Sequence, residues 1–120
     1  MLPAVLPAPA TAVTYSLYGS ASQGWGLTPT SITSPGPLLL VYQGEAVRLD
    51  LSSADSAPHT WCIDYNANHA CDGAAENESA TFSSPTLPLV HRFVPTGAPA
   101  TYNYICGIHG DAIMVGSIRI

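Results

Sequence analysis

Charge is scarce in this sequence. Asp, Glu, Lys and Arg make up 9% of its 120 residues, and only three of them are basic. A surface that grips phosphates needs clusters of Lys and Arg, so nucleic acid is excluded as a partner. The formal net charge of −5 would steer a basic partner protein only weakly. Long apolar runs are missing as well: no stretch reaches the roughly 18 residues that a membrane-spanning helix needs. The segment 1–10 is rich in Pro and Ala and carries no basic residue, which makes it a poor signal peptide. It reads as an N-terminal tail or linker before a single domain over 11–120.

Helical periodicity is absent too. Pro, Gly, Ser and Thr recur too often to leave room for a long helix, yet 47% hydrophobic residues is not a disordered composition. Short strand-like segments fill the chain instead: 11–18, 38–42, 45–51, 59–65, 87–94, 100–106 and 113–120. Along 45–51, Val47, Leu49 and Leu51 share one face, and Ala46 and Arg48 the other. About seven such strands separated by turns indicate an antiparallel sandwich or barrel. A broken strand is expected near Thr30–Ile32, and a short helical turn near Gly73–Glu78. The match of Asn77-Glu78-Ser79 to a glycosylation sequon is the kind that arises by chance.

Cysteine is sparse and odd in number, with three residues. Cys106 stands apart, in Tyr104-Ile105-Cys106-Gly107-Ile108-His109-Gly110-Asp111-Ala112-Ile113-Met114. A thiol, an imidazole and a thioether follow one another here as C-x2-H-x4-M. Thiolate and thioether favour Cu(I), and imidazole serves both Cu(I) and Cu(II), so the set suits a copper ion that cycles between them. Gly107 and Gly110 let the backbone turn tightly around a metal. The remaining cysteines, Cys62 and Cys71, are either a disulfide or two free buried thiols. A disulfide implies an oxidising compartment, periplasmic or extracellular.

One more ligand is needed to close such a site. Of the four histidines, His59 is the best placed, following Pro58 at the start of an expected strand. Strand alternation puts Trp61 and Ile63 on its face, and Thr60, Cys62 and Asp64 on the other. His91 and His69 read as a structural and an exposed loop histidine.

Three segments carry a family resemblance. Pro37 to Leu51 looks like paired strands around a Gly44-Glu45-x-Val47 turn. Ala57-Pro58-His59-Thr60 is similar to an upstream histidine motif, and Tyr102 to Ile120 holds the ligand loop and a closing strand. Together they resemble the cupredoxins, the small type 1 (blue) copper proteins, and among them the plastocyanin-like members. The resemblance implies an all-β, Greek-key sandwich or barrel of about seven to eight strands. It implies one copper held by His59, Cys106 and His109, with Met114 as a weak axial ligand. It also implies a monomeric one-electron carrier between a redox donor and acceptor rather than an enzyme.

There are departures. Thr60 stands where many relatives carry Asn, and the Cys62/Cys71 pair is not a general family feature. A binuclear copper site would need a second cysteine in the ligand loop. A red-copper site would need a carboxylate such as Asp111 in place of Met114. The competing functions are an electron-transfer domain serving a copper enzyme, of the multicopper oxidase or nitrite reductase type, and copper storage or delivery.

Overall fold

In the computed structural model, residues 11–120 are described, so the expected tail at 1–10 lies outside the described residues. Eight strands form two sheets: β1 (Thr11–Ser20), β2 (Gly24–Gly26), β3 (Leu39–Leu40), β4 (Ala46–Ser53), β5 (Cys62–Asp64), β6 (Leu89–Phe93), β7 (Thr101–Cys106) and β8 (Gly110–Arg119). One sheet has the order β2-β1-β4-β6 and the other β3-β8-β7-β5. The sheets are mixed rather than purely antiparallel, because β1 pairs with β4 and β3 with β8 in parallel. Parallel neighbours need a long connection. Residues 21–45 supply one for the first pair, running through β2 of the same sheet and β3 of the other.

Alternation is cleanest in β4. Val47, Leu49 and Leu51 are buried, while Ala46, Arg48 and Asp50 are half-buried on the opposite face. The inward side chains cluster with Leu17 and Phe93 of the same sheet, Ile63, Tyr104 and Ile118 of the facing one, and Trp61 just ahead of β5. Burying each aliphatic side chain contributes about 1.5–3 kcal/mol. Two tyrosine hydroxyls add ties, one between the sheets and one to the loop before β3. The Tyr15 hydroxyl donates to the Leu40 carbonyl at 3.1 Å and accepts from the Leu40 amide at 3.0 Å. The Tyr104 hydroxyl donates to the Pro37 carbonyl at 2.6 Å.

Around His59 the structure departs from the expected regular strand. Only Cys62–Asp64 is strand, and His59 to Asp64 are buried without alternation. The cause is the segment 65–79, which folds over the outer face of β5. It is fastened there by a disulfide between Cys62 and Cys71 and by the Ser79 amide donating to the Trp61 carbonyl at 2.8 Å. The expected helical turn is present as a 3-10 turn at Gly73–Glu76. Strand β2 carries no alternation to reveal it, yet Trp25 within it is fully buried. The structure places Thr33, rather than Thr30–Ile32, in a single bridge with Trp25.

Candidate metal centre

The ligand segment 106–114 spans the turn between β7 and β8. Cys106 ends β7, Gly110 opens β8, and Gly107, Ile108 and His109 make the turn. Gly110 has φ of +77°, a backbone state that side chains disfavour. The ladder then slips: Cys106 pairs with Gly110 but Ile105 pairs with Val115. The slip lets residues 111–114 bulge out of register, a common way of re-aiming side chains beside a site. Met114, the last of them, is buried. A Cβ placed on Gly19 would lie 2.9 Å from its terminal methyl, so the bare backbone of β1 makes room for Met114.

His59 enters from the other side. Its backbone exchanges two hydrogen bonds with Phe82, each 2.9 Å, which fix the residue although it lies outside any strand. Its Nδ1 lies 3.8 Å from Cys106 Sγ and 3.1 Å from His109 Nδ1, and His109 Nδ1 is 3.7 Å from the same sulfur. All three donor atoms fall within 4.8 Å of one another. Two imidazole nitrogens and a sulfur converging in this way can share a proton or take up a cation, and one soft sulfur with two imidazoles is a donor set that fits copper. Among the described residues no second such cluster of three metal-ligating groups occurs.

The electrostatics favour a deprotonated sulfur. Burial pushes the Cys106 thiol up, but hydrogen bonds from the His59 ring, the His109 amide and ring, and the Thr60 amide outweigh it. The net result is a pKa lowered to about 6. Burial likewise lowers the His59 pKa, and the Cys106 sulfur and the Asp55 carboxylate more than reverse it. Asp55 accepts from His59 Nε2 at 2.7 Å. Burial raises its pKa, yet the Ala21 amide, the His59 ring, the Ala57 amide and the Ser53 hydroxyl hold the carboxyl well below the usual range.

Thr60 does not leave the loop untethered. The Gly107 amide donates to its Oγ1 at 3.0 Å, and its hydroxyl donates onward to Glu78 Oε2 at 3.0 Å. Glu78 Oε1 accepts from the Gly73 amide at 3.1 Å, so the relay ends in the segment that the disulfide pins down. A Cβ on Gly107 would sit 3.1 Å from Cys71 Cβ. His69 and Asp111 form a further ion pair between that segment and the ligand loop.

His59, Cys106 and His109 are thus brought together, with His59 and Cys106 buried and His109 exposed. Pro58 is exposed beside them. His91 is kept apart: its Nε2–H donates to the Asn77 carbonyl at 2.7 Å and its ring stacks on Phe93. Asn77 is occupied by Tyr65 and Ser79 is buried, so the sequon serves the fold. Sequence reasoning missed Asp55, Glu78, Phe82 and Gly19. Only Asp55 left a trace, as an acid four positions before the histidine that it holds.

No family model matches the sequence, and no curated protein matches it. Among solved structures, auracyanin B is similar with a TM-score of 0.61 at 19% identity, over 96% of this chain and 91% of that one. Auracyanin A, a "blue" copper protein from the green thermophilic photosynthetic bacterium Chloroflexus aurantiacus, gives 0.61 at 16% identity, over 88% and 96%. A multi-copper oxidase from Pseudomonas thermotolerans gives 0.59 at 13% identity, over 92% of this chain but 30% of that one. With two mixed sheets, almost no helix and these neighbours, the chain has the cupredoxin fold.

Proposed function

We propose that the protein is a mononuclear type 1 copper protein that carries single electrons between a redox donor and a redox acceptor. The observation that carries this reading is the cluster of His59, Cys106 and His109, two members buried and one at the surface. His59, Cys106 and His109 would hold the copper, and Met114 would be a further, weaker ligand. Copper in such a set supplies a one-electron couple. The chain supplies the rest. The Phe82 bridge, the Thr60 relay and the disulfide-pinned segment hold the donors in one arrangement, so little rearranges when charge changes. His109, with exposed Ile108, Ala112 and Ile113 near it in the loop, presents a mainly apolar face suited to brief docking.

The same reading places the protein in the periplasm or outside the cell, where a disulfide such as Cys62–Cys71 persists. Residues 11–120 act as one monomeric domain. A second reading is an electron-transfer domain serving a copper enzyme, favoured by the likeness to part of a multi-copper oxidase. Copper delivery is a third. Copper counting and redox cycling separate them. One copper per chain, kept through repeated reversible one-electron cycles, supports the carrier. More than one copper revives the enzyme reading, and metal lost on reduction to a waiting acceptor supports delivery.

A further inference from the structure

The two ring nitrogens of His59 have unlike surroundings. Nδ1 faces His109 and Cys106, whereas Nε2 lies 2.7 Å from Asp55 Oδ1. Asp55 is anchored where it stands. Its Oδ1 also accepts the Ser53 hydroxyl at 2.9 Å and the Ala57 amide at 3.1 Å, and its Oδ2 accepts the Ala21 amide at 2.8 Å. Ser53 ends β4 and Ala21 follows β1, so the two central strands of one sheet fix the carboxylate. His59 is fully buried, with no water-facing edge to offer an alternative partner. A carboxylate accepts only, so the neutral ring carries its one proton at Nε2 and points its lone pair from Nδ1 into the donor cluster.

We propose that Asp55 is a positioning residue, which fixes the His59 lone pair toward the metal and biases the site toward the oxidised, more highly charged ion. This rests on the copper reading above. A neutral acceptor at Nε2 would set the same tautomer but add no charge. A fixed anion one imidazole ring away stabilises the ion more when it carries the greater positive charge. Asp55 therefore lowers the reduction potential as well as orienting the ligand.

Asp55→Asn tests this, since it keeps the shape and an acceptor oxygen while removing the charge. In the copper-loaded protein the preference for Cu(II) over Cu(I) falls about tenfold, as expected for losing one charge a ring away from the ion. For a one-electron couple that raises the midpoint potential by about 59 mV. Ser53→Ala removes one anchor and keeps the charge, so it lowers the melting temperature and leaves the potential near wild type. Nitrogen NMR of the metal-free wild-type protein adds a readout that needs neither variant nor copper: the proton of neutral His59 sits on Nε2. An unchanged or lowered potential in Asp55→Asn, an equal rise in Ser53→Ala, or a proton on Nδ1 overturns the proposal. A wild-type protein that fails to bind copper would instead remove the copper reading, and the NMR measurement would still decide how His59 is held.

Discussion

Gly107 follows the buried Cys106 and leaves no room for a side chain. A Cβ there would lie 2.5 Å from Thr60 Oγ1, 2.7 Å from Glu78 Oε2 and 3.1 Å from Cys71 Cβ. Thr60 is β-branched, 8% exposed and bound at both ends of its hydroxyl, so it has little freedom to retreat. Gly107→Ala must then break the Gly107–Thr60 and Thr60–Glu78 hydrogen bonds or distort the loop. The first bond is worth about 1 kcal/mol and the second, to a charged acceptor, about 1.5–3 kcal/mol. Overpacking by one methyl costs about 1–3 kcal/mol where nothing gives. Since breaking the bonds relieves the clash, the two costs are alternatives in part, and about 3 kcal/mol is expected overall. For a domain of this size that lowers the melting temperature by about 12 °C, at about 4 °C per kcal/mol. The assay is calorimetric unfolding of the metal-free protein, which removes any contribution from a bound ion. In a Thr60→Ala background the clash is smaller, so the Gly107→Ala cost should shrink by about 1 kcal/mol or more. A Gly107→Ala protein that melts within about 3 °C of wild type, or an undiminished cost in the Thr60→Ala background, would refute the packing argument.

Further expectations concern the thiol, the axial position and the disulfide. In the metal-free protein the Cys106 thiolate absorbance should titrate near pH 6, against 9.0 for an ordinary thiol. Because the folded pKa is the lower one, its contribution to stability is full above the unfolded value and disappears as pH falls through about 6, which denaturant titrations across that window will reveal. Met114→Leu conserves volume in a buried site, so stability should change by less than about 1.5 kcal/mol. The potential should nevertheless shift, since the axial ligand tunes it; an unmoved potential removes Met114 from the ligand set. The disulfide closes a loop of sequence separation 9. Replacing both Cys62 and Cys71 by Ala should therefore lower guanidinium stability by about 2.5 kcal/mol.

Where the sequence was legible, a local pattern and a buried face coincided. The alternation of Val47, Leu49 and Leu51 gave both the strand and its inward side, and C-x2-H-x4-M marked the hairpin that brings Cys106 and His109 together. What stayed hidden depends on contacts between distant segments. Trp25 lies in a three-residue strand between glycines, which no periodicity can mark. At His59 the burial shows no alternation because a second layer, residues 65–79, covers the face opposite the core. Of the two states left open for Cys62 and Cys71 the disulfide is the one present, because Cys62 lies on the face that this layer covers. Glu78 could not be foreseen as part of the ligand support, since Thr60 links it to Gly107 only in the folded chain. Asp55 had a spacing to His59 that permits contact, but the anchors from Ala21 and Ser53 that give it meaning come from two strands.

The central claim is that Cys106 binds copper as a thiolate beside His59 and His109. The visible absorption spectrum of the copper-loaded protein, recorded for wild type and for Cys106→Ser, tests it most directly. The account predicts an intense visible band in wild type and none in the variant. A copper-loaded wild type without such a band, or a Cys106→Ser protein that keeps it, contradicts the account.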